Sequence, residues 1–321
     1  MDYSKLNDII KSSKNILIIS HINPDGDTLG SMCGLYSAIL DNYRKKCDMM
    51  SISKIPDVYS YLPYLNEVKN IDEYDKSREY DLVINVDVAS LDRIMDAKIL
   101  FDKAKFNVNI DHHKTNNAYG NLNFINPNAS STGEVLFGCF NQMGWNINLD
   151  TAICLYTAIL TDTGSFRFDN TKPSTFEAAA KLVEIGVQPS DIYKKVYESD
   201  SKTLVMFQAH CISKAKFLED DKIAYTIVYK KDMEKFSAGD DCMEGLTEKL
   251  RAIVTTRIAF VAKEMKNGGT KVSMRSKFAD VAEICEVFGG GGHKFAAGCT
   301  IKAPVEEAAR KILEEIKKRE I

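Results

Sequence analysis

The first half of the chain alternates short, nearly continuous apolar runs with longer amphipathic stretches. The runs have the length and the Val, Ile and Leu content of strands that are buried on both faces of a parallel sheet. The stretches between them, at 27–43 and 91–105, repeat their apolar positions with helical spacing. This alternation predicts an α/β domain with a parallel sheet and helices on both faces. The predicted strands are 15–20, 47–53, 81–87 and 106–111.

Helices dominate the middle of the chain, and a different pattern follows them. Ser131 and Glu134 have the spacing of a capping box at a helix start, and Gly186 fits a helix stop. The segment 189–218 is polar and helical, without a strand pattern, and is predicted to be a connector. A smaller α+β domain follows, with a hairpin turn at Asn267-Gly268-Gly269. We expect helices at 150–160, 171–185, 280–288 and 304–319, and strands at 223–229, 253–266 and 270–277.

Length and composition exclude several classes of protein. The 321 residues, 45% apolar and 27% charged, predict two folded domains, 1–188 and 219–321, on either side of the connector. The net charge of −3 provides no basic field for coating long duplex nucleic acid, and no apolar stretch is long enough for a membrane span. Residues 1–14 are polar and do not resemble a secretion signal. Eight dispersed cysteines without CxxC spacing predict free thiols in a reducing cytoplasm, rather than disulfides or a zinc–thiolate site.

Carboxylates and imidazoles follow the ends of the predicted strands. Because parallel strands end at the same edge of a sheet, the side chains that follow them converge in space. Charged groups at the ends of buried strands are costly unless they are neutralised, and a pair of divalent metal ions is the expected neutraliser. The set comprises His21, Asp25 and Asp27 after the run 15–20, Asp87 at the end of 81–87, Asp111, His112 and His113 at the end of 106–111, and Asp162 after the apolar run 153–160.

The ligand types in this set point to a particular chemistry. Asp and His ligands without cysteine suit Mn²⁺, with Mg²⁺ or Co²⁺ as substitutes, better than structural zinc. Six ligands suffice for two ions when one carboxylate bridges them, and such a pair activates water for attack on phosphorus. Each motif alone has a simpler explanation: Asp25-Gly26-Asp27 as a surface turn, Asp87 as a helix N-cap, and His112-His113 as a half-buried pair. Those explanations do not account for the shared edge, so the pattern favours a metal centre.

Four strings, HINPDGD at 21–27, VDVAS at 86–90, DHH at 111–113 and TDTGSF at 161–166, resemble the motifs of the DHH phosphoesterase family. The resemblance implies two metal ions that share the carboxylate of Asp87. The implied ligands are His21, Asp25 and Asp87 for one ion, and Asp27, Asp87, His112 and Asp162 for the other.

The resemblance also implies roles for residues beside the metal ligands. Asp111 would orient an imidazole, and His113 would face the substrate phosphate and stabilise its charge. Arg93, six residues after Asp87, matches an arginine often found in the family and would contact the substrate, with a solvated helix charge as the alternative.

A run of glycines, 289–292, precedes His293 near the C-terminus. Successive glycines let backbone N–H groups approach an anion, although a flexible turn with an exposed histidine would explain a glycine run alone. The strings SMRS at 273–276 and GGGH at 290–293 together resemble the DHH-associated C-terminal domain. The resemblance implies that the substrate's distal phosphate or base is bound by Arg275, Gly291, Gly292 and His293.

The two-domain members of this family that the chain resembles hydrolyse short RNA of about two to five nucleotides to nucleoside 5′-monophosphates, and a modest net charge agrees with short substrates. They also convert 3′-phosphoadenosine 5′-phosphate (pAp) to AMP. A phosphodiesterase for c-di-AMP or its linear product pApA remains an alternative. An inorganic pyrophosphatase of the related type lacks the GGGH string and carries a histidine where this chain has Asn23. An inactive nucleotide sensor would have lost ligands that this chain retains. No membrane partner is expected, and a homodimer is left open.

Overall fold

The computed structural model describes residues 3–75, 77–266 and 268–319. The chain forms two compact units, Met1–Ser199 and Asp200–Ile321. The segment 189–218, predicted as a connector, contributes one helix to each unit. Its last residues, Lys216–Leu218, form a strand, contrary to the prediction, because they pair with Ile223–Tyr225 in antiparallel register.

The first unit is built on a six-stranded sheet in which every pair of neighbours is parallel. The strand order is β3-β2-β1-β4-β5-β6. Each predicted strand of this half is present, within one or two residues of its expected bounds. The strands are β1 (Ile16–Ile19), β2 (Asp48–Ser51), β3 (Val68–Asn70), β4 (Leu82–Val86), β5 (Phe106–Asp111) and β6 (Leu122–Ile125).

Helices cover both faces of this sheet, as the apolar strands predicted. Ile16 and Ile18 lie in the larger core, whereas Leu17 and Ile19 face a second core on the other side. This alternation follows from the two-residue period of a strand. The helices are α1 (Ser4–Ser12), α2 (Gly26–Tyr43), α3 (Lys98–Lys103), α4 (Thr132–Met143), α5 (Leu149–Asp162), α6 (Pro173–Ile185) and α7 (Pro189–Tyr197). Short 3₁₀ turns lie at Asp57–Tyr59, Leu65–Glu67, Ile71–Glu73 and Leu91–Ala97.

Close packing joins α2 to α5. Gly26, Gly30 and Gly34 recur every fourth residue along α2, and so lie on one face of the helix. A β-carbon added at Gly30 would lie 2.5 Å from the main-chain oxygen of Cys154 in α5. The absence of side chains on this face therefore sets how closely the two helices approach. This matters because α2 begins beside Asp25 and α5 ends at Asp162.

The second unit has a mixed six-stranded sheet of order β11-β12-β10-β9-β8-β7. Only the β8–β9 pair is parallel among the described pairings. The strands are β7 (Lys216–Leu218), β8 (Ile223–Val228), β9 (Ile258–Glu264), β10 (Thr270–Ser276), β11 (Gly291–His293) and β12 (Ala296–Ile301). The helices are α8 (Lys202–Ser213), α9 (Lys230–Phe236), α10 (Leu246–Arg251), α11 (Val281–Glu286) and α12 (Val305–Lys317), with a 3₁₀ turn at Asp240–Met243.

Several local predictions were wrong. The stretch 91–105 is not one helix, because Met95, with φ +48°, interrupts the 3₁₀ segment Leu91–Ala97, and only Lys98–Lys103 is α-helical. Strand β9 starts at Ile258 rather than at 253, and Val254, before it, is 93% exposed. Ser131 caps α4 as predicted, but Glu134 accepts its hydrogen bond from the N–H of Ser130, so the capping box is half formed.

Other expectations have mixed outcomes. The predicted hairpin turn includes Asn267, which lies outside the described residues, while β9 and β10 pair antiparallel on either side of it. All eight cysteines are buried and lie outside disulfides. Among the described residues, no helix has both the length and the apolar character to cross a membrane.

Candidate metal centre at the edge of the parallel sheet

The predicted ligands come from four segments that end at one edge of the parallel sheet. His21 follows β1, Asp87 follows β4, and Asp111 is the last residue of β5. Asp25 caps α2, and Asp162 is the last residue of α5, so this ligand is delivered by a helix rather than by a strand. Strands and helices of different chain segments thus bring these side chains together.

The structure places potential ligand atoms of these residues within 4.8 Å of one another in three groups. Asp87 belongs to two of the groups, and a 3.6 Å separation between its Oδ1 and His112 Nε2 links it to the third. The groups are His21, Asp25 and Asp87; Asp27, His112 and Asp162; and Asp87, Asp111, His112 and His113. All six side chains expected to bind metal therefore lie in these groups, and their division between two ions stays a prediction.

Asp87 lies at the centre of the site and is 2% exposed. Its Oδ2 accepts a hydrogen bond from Thr28 (2.6 Å) and its Oδ1 accepts one from Thr132 (3.1 Å). Burial favours the neutral carboxyl, but the hydrogen bond and charge of His21, with the charges of the two neighbouring histidines, lower its pKa to about 2. Its φ of +61° is a sparsely populated conformation for a residue other than glycine. Asp87 is not a helix N-cap; Ser90 is the residue that precedes the next turn.

Asp27 is 1% exposed and points at the start of α4. Its two oxygens accept hydrogen bonds from the N–H groups of Thr132 (2.8 Å) and Gly133 (3.0 Å). A carboxylate at a helix N-terminus is favourable. Nevertheless burial, and then the negative charges of Asp87 and Asp162, raise the pKa of Asp27 well above its usual value. The protein alone therefore does not compensate the charge at this position.

Asp162 shows the same deficit of positive charge. Burial, followed by the carboxylates of Asp87 and Asp25, raises the pKa of Asp162 to about 7. Its Oδ2 lies 3.5 Å from Nε2 of His112, whose own pKa is lowered, chiefly by burial. Several carboxylates thus face a neutral imidazole that has a lone pair to donate. Such a donor set fits a divalent cation, which would supply the missing charge.

His21 is oriented as a metal ligand would be. Its Nδ1 lies 2.7 Å from the carbonyl oxygen of Ile22, which can only accept a hydrogen bond. Its Nε2 faces Asp87, whose Oδ2 lies 3.3 Å away. The Arg93 guanidinium lies 2.9 Å from the same Nδ1. Arg93 is therefore beside a predicted ligand, and its contact with substrate stays a prediction.

Asp111 is fully buried and holds His113 in place. Its Oδ1 accepts hydrogen bonds from His113 Nδ1 (2.7 Å) and from the N–H groups of His112 and His113. The hydrogen bond to Asp111 is the main cause that raises the pKa of His113 to about 9. The His113 side chain is 40% exposed, so a positively charged imidazole is available beside the carboxylate cluster.

Some residues of the site carry no signal in the sequence. Thr28 and Thr132 donate to Asp87, and Asn116 donates to Asp111 (2.5 Å). Thr28 directly follows the string HINPDGD, and Thr132 directly follows Ser131. Their spacing gives no indication that they contact Asp87. A cavity of about 190 Å³ opens beside two predicted ligands and was not foreseen. It is lined by Asp25, Tyr59, Thr161, Asp162, Val196 and Tyr197.

In the second unit, the glycine run is partly a strand rather than a loop. Gly291–His293 form β11 at the edge of the sheet, and Gly292 has φ +148°. Ala296 of β12 pairs with Arg275 on one side and with His293 on the other. Residues paired in this way share a face of the sheet, so Arg275 and His293 lie in one row, about 10 Å apart. Nε of Arg275 donates to Glu248 (2.7 Å), a partner that the sequence did not suggest.

Comparisons with known proteins agree with this geometry. Residues 15–159 match the N-terminal domain of the DHH family, and residues 220–319 match the DHHA1 domain. The probable bifunctional oligoribonuclease and PAP phosphatase NrnA of Streptococcus mutans is 31% identical over 90% of both chains. The bifunctional oligoribonuclease and PAP phosphatase NrnA of Bacillus subtilis is 29% identical over 89% of both.

A solved structure extends the likeness to the whole fold. The crystal structure of an exopolyphosphatase-related protein from Bacteroides fragilis superposes with a TM-score of 0.91 at 26% identity, and covers 98% of this chain and 95% of that one. The motifs, the two matched domains and the near-complete coverage lead to one conclusion. The chain belongs to the DHH family and is a hydrolase of phosphoester bonds, with a DHHA1 domain following its DHH domain.

Proposed function

We propose that this protein hydrolyses short oligoribonucleotides to nucleoside 5′-monophosphates and converts pAp to AMP. The observation that carries the proposal is the cluster of six predicted metal ligands, with Asp87 at its centre and His113 beside it. The relatives whose names state these two activities match about nine-tenths of the chain. A phosphomonoester such as pAp and an RNA phosphodiester present the same tetrahedral phosphorus, so one centre serves both.

The proposed ligands of the two cations are those implied by the family resemblance, with Asp87 shared. Two divalent cations, Mn²⁺ in our proposal, would neutralise charge on the phosphate and lower the pKa of an attacking water. The mixture of imidazole and carboxylate suits Mn²⁺ better than Ca²⁺, which prefers a larger number of oxygen ligands.

The protein's own groups would act on the phosphate from the side of His113. The hydrogen bond from His113 Nδ1 to Asp111 leaves Nε2 to contact a phosphate oxygen. The hydrogen bond to Asp111 is the main cause that raises the pKa of His113 to about 9, and it favours the positively charged imidazole. In this proposal His113 and Asp111 act as a catalytic pair: the first stabilises negative charge that increases during hydrolysis, and the second keeps its ring in place.

We further propose that the row in the second unit binds the part of the substrate away from the scissile bond. Arg275 and His293 lie on one face of the sheet with Ala296 between them, and the paired Gly291 and Gly298 lie in the next row on the same face. Small residues leave room for a phosphate or a base, and the flanking Arg275 and His293 side chains can donate hydrogen bonds to an anion. Gly291, Gly292, His293 and Arg275 are the proposed contacts, and Arg93 is a further candidate in the first unit.

Turnover of pAp, a diribonucleotide, pApA, c-di-AMP and pyrophosphate, measured in parallel with Mn²⁺, tests the proposal. We expect pAp and the diribonucleotide to be hydrolysed fastest, and activity to disappear after dialysis against EDTA. Mn²⁺ should restore it, and Ca²⁺ should not. A clear preference for c-di-AMP or pyrophosphate would replace the proposed substrates, and full activity in excess EDTA would exclude a metal mechanism.

A further inference from the structure

Asn116, in the loop that follows the Asp-His-His string, connects two of the segments that form the site. We propose that Asn116 is a positioning residue: its side-chain amide holds Asp111, and through it His113, in register with the loop that carries Asp87. The inference rests on the proposed roles of Asp111 and His113, although its test does not depend on which nucleotide is the substrate.

Every hydrogen-bonding position of the Asn116 side chain is used. Its Nδ2 donates to Asp111 Oδ2 (2.5 Å) and to the carbonyl oxygen of Val88 (3.1 Å). Its Oδ1 accepts from Asn109 Nδ2 (3.0 Å) and from the N–H of Ala118 (2.9 Å). Both partners of Nδ2 can only accept, and both partners of Oδ1 donate, so the amide fits in one orientation. A side chain held by four hydrogen bonds has a fixed orientation, and it can therefore fix the orientation of the groups that it contacts.

The two acceptors of Nδ2 belong to different parts of the site. Asp111 Oδ1 already accepts from His113 Nδ1 and from two main-chain N–H groups, and Asn116 engages the other oxygen. The plane of the carboxylate, and with it the His113 ring, is thereby fixed. Val88 follows Asp87, whose φ is +61°. A hydrogen bond to the Val88 carbonyl therefore supports the backbone turn that directs the shared carboxylate.

A second side chain supports the Val88 carbonyl without touching Asp111. The Tyr119 hydroxyl donates to the same oxygen (2.9 Å) and accepts from Nδ2 of Asn85 (3.2 Å). Tyr119 thus shares one of the two functions of Asn116. Comparing variants of the two residues separates the contact with Val88 from the contact with Asp111.

Asn116→Asp is the informative substitution, because it keeps the size of the side chain and replaces its donor by an acceptor that faces Asp111. At pH 8 we expect kcat to fall about a hundredfold, with KM within threefold of wild type and with unchanged Mn²⁺ stoichiometry. The double variant Asp111→Asn with Asn116→Asp again places an amide donor, now at position 111, opposite a carboxylate acceptor at position 116. Its kcat should be at least tenfold higher than that of Asn116→Asp alone. Tyr119→Phe should lower kcat less than fivefold.

The matched control is Asn121→Asp, an exposed residue of the next turn whose Oδ1 accepts from the N–H of Asn107. It should stay within twofold of wild type. All rates are measured on pAp and on bis-p-nitrophenyl phosphate, a generic phosphodiester. If the protein does not hydrolyse pAp, the rate on bis-p-nitrophenyl phosphate still tests the role of Asn116.

Three results would overturn the proposal. One is Asn116→Asp with a wild-type kcat on bis-p-nitrophenyl phosphate. Another is a double variant no more active than Asn116→Asp, which would mean that Asn116 does not act through Asp111. The third is a loss of bound Mn²⁺ or of folded protein that accounts for the lower rate, which would assign Asn116 a structural role instead.

Discussion

Polar and charged side chains collect in two regions of the molecule: the edge of the parallel sheet, and the row of Arg275, Ala296 and His293 beside the glycine run. The two regions differ in burial and in the balance of charge. At the sheet edge, Asp27 and Asp87 are at most 2% exposed, and their carboxylates outnumber the cations that the protein supplies. In the second unit, His293 is exposed on an edge strand, and the Arg275 side chain is 29% exposed with Glu248 as its partner. One region is buried and short of positive charge, whereas the other is open and already partly neutralised.

Because of this difference, the two regions should bind different ligands. Buried carboxylates raise one another's pKa values, so the first region is stabilised by binding a cation whether or not substrate is present. The second region has no such deficit, and an anion there is favoured by geometry, by the Arg275 guanidinium and by a hydrogen bond from the His293 imidazole. We therefore expect changes at the sheet edge to affect every substrate, and changes in the row to affect only substrates that reach it.

The largest effect should follow Asp87→Asn, which keeps the shape of the side chain and removes the charge that two cations would share. We expect kcat to fall by about a thousandfold or more, equivalent to about 4 kcal/mol, on nucleotides and on bis-p-nitrophenyl phosphate alike. Parallel assays at saturating Mn²⁺, with circular dichroism to confirm the fold, check this. Activity within tenfold of wild type would show that Asp87 is not the shared ligand.

His293→Ala should separate the substrates. A charge-assisted hydrogen bond to phosphate is worth roughly 1.5–3 kcal/mol, so kcat/KM for pAp and for a diribonucleotide should fall about ten- to a hundredfold. Hydrolysis of bis-p-nitrophenyl phosphate should fall less than threefold, and Mn²⁺ binding should be unchanged.

A histidine of the same unit provides the control for that experiment. His210 contacts Asp232 (3.0 Å) and belongs to neither region, so His210→Ala should leave both activities near wild type. Equal losses on nucleotide and generic substrates for His293→Ala would contradict the division between the regions.

The charge deficit at the sheet edge predicts how stability varies with pH. Asp162 has a pKa of about 7 in the folded protein and an ordinary, lower pKa when unfolded, so the folded state binds the additional proton. Without metal, the contribution of Asp162 to stability should therefore decrease as pH rises from about 4 to 7. The raised pKa of His113, about 9, extends the loss to higher pH, because the folded state retains that proton as well.

Bound Mn²⁺ should reverse this trend, because it replaces the protons. The Tm increase caused by Mn²⁺, measured by calorimetry, should be about 5 °C or more at pH 8 and less than half as large at pH 5.5. A shift that is the same at both pH values would mean that the carboxylates at the edge do not bind the ion.

The sequence allowed the sheet and its edge to be predicted, because both follow from local patterns. Strand β5 has the predicted bounds of 106–111, since its apolar residues recur at every second position, as in a strand, and the polar motif begins at Asp111. The convergence of His21, Asp87 and His112 follows from parallel topology alone. The prediction of a single helix over 91–105 was wrong because Met95 has a positive φ that interrupts helical geometry, and no pattern in the sequence indicates that conformation.

The supporting contacts of the site were not predictable for a related reason. Thr28 meets Asp87 across 59 residues of sequence, and Glu248 meets Arg275 across 27, so each pair depends on how elements pack. Helix α10, which carries Glu248, lies just ahead of the stretch assigned to a long strand and was not predicted at all. The spacing of charged residues along the chain contains no information about such partners.

The close approach of α2 and α5 provides the finest test of how the sheet edge is held. A β-carbon at Gly30 would lie 2.5 Å from the Cys154 carbonyl oxygen, a main-chain atom that cannot turn aside. Gly30→Ala should therefore separate the helices and lower the free energy of unfolding by about 1–3 kcal/mol.

Gly138 of α4 is the matched control, because no atom lies within 4 Å of a β-carbon added there. Gly138→Ala should raise the free energy of unfolding by about 0.5–1 kcal/mol, since alanine restricts the unfolded chain. Since α2 begins beside Asp25 and α5 ends at Asp162, only the Gly30 variant should also bind Mn²⁺ more weakly. Urea titrations and calorimetric Mn²⁺ binding separate the two effects. Weaker metal binding in both variants, or in neither, would mean that the spacing of these helices does not set the distance between the carboxylates.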